Sequence, residues 1–167
     1  MTRPRSERLV VEPASKSYVA RLTVPNRVES VRPAVSFVVQ TARALNIARA
    51  ADPLFEVAVA EALTNAVKHG HSPASLGEVR DRAVSAPPLS DVIDCELELD
   101  ARRFVLRVID NGPGFVIPHP WEHAAAPAEV YEIPESGHGL HIIQSVFQGV
   151  RGVQLNGRFR LELSLPL

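Results

Sequence analysis

The sequence predicts a single α+β domain, a mixed but mostly antiparallel sheet covered on one face by helices. Three observations predict it. Periodic segments follow the order strand, helix, helix, two strands, helix, two strands. Each of the two strand pairs is joined by a tight turn, as antiparallel hairpins require. The 167 residues, 46% hydrophobic and 22% charged, suffice for one ordinary core and are too few for two comfortable ones.

Each element has a local reason. Residues 1–14 are rich in Arg and Pro without periodicity and read as a mobile tail, so the domain is expected over 15–167. Ser17–Val24 alternates loosely and is stopped by Pro25. Val28, Val31, Val35, Val38, Ala42 and Leu45, widened by Ala34 and Val39, form one helical stripe, with Pro33 setting a start near Ser30. Asp52-Pro53 is a carboxylate cap followed by proline at the first helical position, and LFEVAVAEALTNAVKHG then runs to Gly70. Residues 71–90 carry Pro73, Pro87 and Pro88 and read as a long surface connection.

Ile93, Cys95, Leu97 and Leu99 alternate with Asp94, Glu96, Glu98 and Asp100. RFVLRVID follows a turn at Ala101-Arg102, with Arg103 and Arg107 able to oppose those acids. After NGPGF and an irregular stretch, GLHIIQSVFQ forms a short helix. VRGVQL and RFRLELSL then close a hairpin at Asn156-Gly157, a dipeptide that favours positive φ.

Composition excludes several function classes. A net charge of −1 gives no basic excess for a nucleic-acid or membrane partner. Cys95 is alone, which excludes an internal disulfide framework and a cysteine-built zinc site. No apolar run approaches the roughly 20 residues of a bilayer span, and the basic start lacks a signal peptide's apolar region. A soluble, cytoplasmic protein is expected. The only lysines are Lys16 and Lys68, neither after a glycine, so a GxxxxGK phosphate loop is absent. Any nucleotide must be held another way.

Three segments carry chemistry. On the second helix, Glu61, Asn65 and either Lys68 or His69 share a polar stripe. A carboxylate and an amide one turn apart can serve as a base and a hard-oxygen ligand for magnesium, although a solvated helix face has the same pattern. In VIDNGPGF, Asp110 ends an apolar strand and runs into Gly112 and Gly114. A plain turn explains this, as does a fixed carboxylate that a ligand approaches over bare glycine backbone. In ESGHGLHII, Gly137 and Gly139 open a helix whose free N–H groups can hold an anion, or which Ser136 simply caps.

Together, EALTNAVKHG, DNGPGF and ESGHGLHII resemble the GHKL superfamily of ATP-binding domains, with its Bergerat-type α/β sandwich. More narrowly they are similar to the bacterial anti-sigma-factor serine/threonine kinases, and the resemblance covers roughly residues 15–165. It implies ATP and Mg²⁺ as cofactors. It implies Asn65 as the Mg²⁺ ligand, Glu61 as general base, Asp110 as reader of the adenine amino group, and Gly112 and Gly114 at the mouth of the adenine pocket. Gly137 and Gly139 match the lid hinge and phosphate-binding helix start, with His138 between them, Leu140 beyond them, and a lid over about 115–137. His69 lies where the family often has a polar residue, and its role stays open. The implied partners are an anti-anti-sigma-like protein substrate, a sigma factor as competing ligand, and a second copy of the chain. An ATP-binding partner switch without kinase activity fits the same motifs, as does a nucleotide-binding piece of a longer signalling protein.

The six histidines show no tight ligand spacing. Trp121 reads as a lid anchor, and Cys95 as a small buried hydrophobe.

Overall fold

The computed structural model describes residues 18–71, 91–115, 117 and 138–167. The expected N-terminal tail, most of the lid with Gly137 and Trp121, and nearly all of the 71–90 connection lie outside the described residues.

Five strands form one sheet in the order β1-β2-β3-β5-β4: β1 (Tyr18–Pro25), β2 (Val92–Leu99), β3 (Arg103–Asp110), β4 (Gly149–Leu155) and β5 (Arg158–Pro166). Three α-helices accompany them: α1 (Val31–Ala44), α2 (Pro53–His69) and α3 (His138–Val146). All four strand pairs among the described residues are antiparallel, in keeping with the mostly antiparallel, helix-covered sheet expected from the sequence. The reason is topological. β3 and β4 run parallel to each other, but β5 inserts between them and pairs with both.

Local chemistry sets the boundaries. Asp52 caps α2 by accepting from the Leu54 N–H at 2.9 Å, with Pro53 next to it. Pro33 falls in the first turn of α1, where the lack of an N–H costs nothing. One stripe residue departs from expectation. Val28 lies on a 3-10 turn (Val28–Ser30) ahead of α1 and is 72% exposed, because the tighter winding there throws it out of phase with the helix. Asn156 and Gly157 take φ of 52° and 78°, as the two-residue hairpin requires.

The core lies between the helices and one face of the sheet. Ala34, Val35, Val38, Val39 and Ala42 of α1 are buried, and so are Phe55, Ala58, Val59, Ala62, Leu63 and Ala66 of α2. They meet Ile93, Cys95, Leu97, Leu106, Val108, Leu161 and Leu163. Phe55 stands 6.4 Å from Phe104 and 5.6 Å from Phe147, which ties α2 to β3 and to the end of α3.

The other face is a lattice of charge. Arg107 donates to Glu98 at 2.7 Å and to Glu162 at 2.8 Å, while Arg21 pairs with Glu96 at 3.2 Å. Arg107 thus meets the acids as expected, though on the diagonal across β2 and directly opposite in β5. Arg103 instead turns back to Asp100 in its own turn, at 3.5 Å.

Candidate functional site

The second helix carries both ends of the candidate site. Glu61 and Asn65 are half-buried midway along α2, and Lys68 and His69 are exposed at its last turn. Gly70 follows with φ −88°, an ordinary right-handed value, so its need for glycine is one of space. A Cβ there would lie 2.6 Å from both Cβ and Cγ of Asp110.

Asp110 ends β3 and is only 6% exposed. Its Oδ1 accepts from the Gly112 N–H at 2.8 Å. No described residue engages Oδ2. Burial pushes the carboxyl up to about 6, against the opposing pull of the Gly112 N–H and the charges of Arg158 and His71, with Asp91 adding to the rise. The turn after Asp110 abuts the end of α2. A Cβ on Gly112 would run into the His69 carbonyl and stand 2.7 Å from the Gly70 Cα. Gly114 has φ +74° and sits against the Phe159 ring, so it too tolerates no side chain. Phe115 packs on Phe159 with ring centroids 5.1 Å apart.

A layer of polar side chains surrounds this turn. The Asn111 N–H donates to the Gly70 carbonyl at 3.0 Å. Its side-chain amide donates to Asp91 Oδ1 at 3.0 Å and accepts from Arg158 Nε at 2.8 Å. The other Asp91 oxygen pairs with His71 Nδ1, again at 3.0 Å. Asn26, 1% exposed in the β1–α1 connection, donates its side-chain N–H to the carbonyls of Ala66 and Gly70, at 3.3 and 3.1 Å. Sequence reasoning missed Asn26, His71, Asp91, Asn111 and Arg158. Of these only Asn111, inside the Asp-x-Gly-x-Gly run, carried a local signal.

The second group lies at the start of α3. Gly139 packs on Glu61 so closely that a Cβ there would collide with Glu61 Oε2. The Glu61 carboxylate is therefore held at the positive end of α3, among N–H groups that have no partner within the helix. His138 is exposed, and Gly139 and Leu140 are half-buried. Thus the fold brings Glu61 to Gly139, and Asp110 to Gly112 and Gly70. Nine residues of helix separate Glu61 from Gly70, about 13 Å at 1.5 Å per residue. That is the scale of an extended nucleoside triphosphate. Among the described residues no three His, Cys, Asp or Glu side chains lie close enough together to hold a metal ion. Asn65 carries a neutral amide oxygen one turn from Glu61, a donor type that suits Mg²⁺.

An antiparallel sheet with helices on one face, carrying a buried carboxylate beside glycines at one end of a helix and an amide-carboxylate pair midway along it, defines a nucleotide-binding α+β domain. The chain belongs to the histidine kinase-like ATPase domain family, which it matches over residues 24–160. It is therefore a kinase-type ATP-binding domain of the GHKL class, whose members bind ATP, generally with Mg²⁺. No protein of curated function matches the chain. Among the described residues no helix is long and apolar enough to cross a membrane.

Proposed function

We propose that this chain is an ATP-dependent serine/threonine kinase of the anti-sigma-factor type, formed by one domain over residues 15–167 and phosphorylating a small anti-anti-sigma-like protein. What carries the reading is the layout along α2. A base-reading carboxylate stands at one end, and an amide-carboxylate pair stands midway, against the open start of α3.

In this reading Asp110 accepts from the adenine amino group through Oδ2, while Gly70, Gly112 and Gly114 let α2, the turn after β3 and the Phe159 ring pack closely around that carboxylate at the mouth of the pocket. N–H groups at the start of α3, from the exposed His138 to Leu140, hold phosphate oxygens, with Gly137 as the hinge ahead of them in the family pattern. Asn65 would hold Mg²⁺, which neutralises charge on the phosphates. Glu61 takes the proton as the serine or threonine oxygen bonds to the γ-phosphorus and the bond to the bridging oxygen breaks, releasing ADP. His69 is exposed at the end of α2, and no role is assigned to it. A sigma factor would compete with the substrate for the protein, and two copies of the chain would present two such sites. The protein would work in the cytoplasm, without direct contact to nucleic acid or membrane.

The test is calorimetry with ATP, ADP and GTP, followed by radiolabelled phosphate transfer to candidate anti-anti-sigma domains. Mg²⁺-dependent ATP binding and transfer that Glu61→Gln abolishes without loss of binding support the kinase reading. ATP binding with no transfer to any partner it captures leaves a partner switch. A folded chain that binds neither ATP nor ADP refutes both.

A further inference from the structure

Arg158 lies one residue beyond the β4–β5 turn, far in sequence from every motif above, yet its guanidinium converges on the end of the sheet from which Asp110 emerges. Nε donates to Asn111 Oδ1 at 2.8 Å. One terminal nitrogen pairs with Asp94, and the other donates to the carbonyls of Val92 and Ile109 at 3.3 Å each. The planar fork thereby joins β5 to the end of its neighbour β3 and, across β3, to the start of β2.

We propose that Arg158 is a positioning residue for the base-reading carboxylate. By orienting Asn111 and placing a fixed positive charge behind the turn, it holds Asp110 aimed and ionised for the adenine amino group. The inference rests on the ATP-binding reading above. Its first part is geometric. Asn111 is the residue between Asp110 and the Gly112 N–H that Asp110 accepts from. With its amide oxygen held by Arg158, the Asn111 amide N–H is aimed at Asp91, and its backbone N–H is held by Gly70. Its second part is electrostatic. The groups facing Asp110 are His71 beyond the end of α2, Asp91 ahead of β2, Arg158 on β5 and the Gly112 N–H of its own turn. Lys68 and His69 of α2 are exposed to solvent. His71 is already paired with Asp91. Arg158 is the fixed cation of the set, and its own counter-charge is Asp94.

The experiment measures ATP affinity by calorimetry with Mg²⁺ from pH 5 to 8 for wild type, Arg158→Met, Arg158→Lys and Asp94→Asn. A protonated Asp110 has lost its accepting charge, so wild-type affinity falls as pH drops through about 6. Without the Arg158 charge the fall begins higher, by about one unit, and affinity at pH 7 drops roughly tenfold. Arg158→Lys keeps the charge and loses the fork, so the midpoint returns toward wild type while affinity stays reduced. Asp94→Asn leaves Arg158 uncompensated and moves the midpoint the other way, to lower pH. A residue that merely stiffens the sheet would change affinity at every pH alike. An unmoved midpoint in folded Arg158→Met, or a shift of Arg158→Met and Asp94→Asn in the same direction, overturns the proposal. If Arg158→Met does not fold, Asp94→Asn decides alone, and an unchanged midpoint overturns it. Wild-type ATP binding with these failures removes only the role of Arg158; no wild-type binding removes the nucleotide reading beneath it.

Discussion

Replacing Asp110 by Asn is expected to make the empty protein more stable and the nucleotide complex weaker. The side chain is 6% exposed, and burial raises its pKa from 3.8 to about 6. In the unfolded chain the carboxyl ionises near its ordinary value. Below about pH 4 it is protonated in both states, and its burial costs nothing extra. As pH rises from about 4 to about 6 the unfolded state ionises while the folded one does not, so stability is lost across that interval and the loss is complete above it. A shift of about two units is worth about 3 kcal/mol at 1.36 kcal/mol per unit. Asn keeps an oxygen for the Gly112 N–H, but its new N–H groups need partners, so about 2 kcal/mol should survive. For a chain of this length that is a rise in Tm of about 4–8 °C at pH 7.5, and almost none at about pH 3. Scanning calorimetry at the two pH values reads it directly. Titration with ATP should show affinity reduced roughly ten- to a hundredfold, the loss of a hydrogen bond to a charged acceptor. A variant with unchanged or lower Tm at pH 7.5 would refute the claim that Asp110 is held ionised against its burial.

Other expectations can be checked alongside. Asn65→Ala, on the half-buried polar stripe, should unfold within about 0.5 kcal/mol of wild type in urea yet lose Mg²⁺-dependent nucleotide binding or transfer. Gly112→Ala should destabilise by about 1–3 kcal/mol because its Cβ meets the His69 carbonyl, which cannot yield without parting β3 from α2. Gly139→Ala should leave the melting curve nearly intact, because its Cβ meets only the end of the Glu61 side chain; phosphate transfer should fall instead. Cys95 is fully buried with its thiol pushed up to about 12, so a thiol reagent at pH 7.5 should label it only after denaturation.

The sequence carried most of the architecture because the signals were local. The Asp52-Pro53 cap, the alternation from Ile93 to Leu99 and the Asn156-Gly157 turn each act within a few residues, and each appears where expected. The nucleotide motifs were legible for the same reason: Glu61 and Asn65 are one turn apart, and Asp110 adjoins its glycines. Val28 was misjudged because a 3-10 turn ahead of the helix is invisible to a 3.6-residue period. The placement of β5 between β3 and β4 was not legible, because it depends on which strand edges meet. Asn26, Asp91 and Arg158 escaped notice because their partners come from distant segments. Asn26 reaches Gly70 across 44 residues, and Arg158 reaches Asn111 across 47. Gly70 looked like an ordinary helix stop; a Cβ there would already meet the Ala66 carbonyl of its own helix, and its second constraint, the side chain of Asp110, shows only in the fold.

The strand order also dictates how the chain assembles in time. The β2–β3 hairpin closes over short loops, with Arg107 reaching Glu98 only 9 residues away, and β4–β5 turns on two residues. Joining the hairpins through β3 and β5 spans 55 residues at Arg107 and Glu162, and seating β1 on β2 spans 71 at Thr23 and Asp94. Loop closure over such distances is slow, so the hairpins form early and the docking of β1 is a late step. Asn26 follows directly on β1, so its clasp on the end of α2 arrives with that step. The nucleotide pocket is therefore among the last parts of the molecule to become ordered as it folds. A nascent chain with a complete sheet centre would still be unable to hold a ligand there.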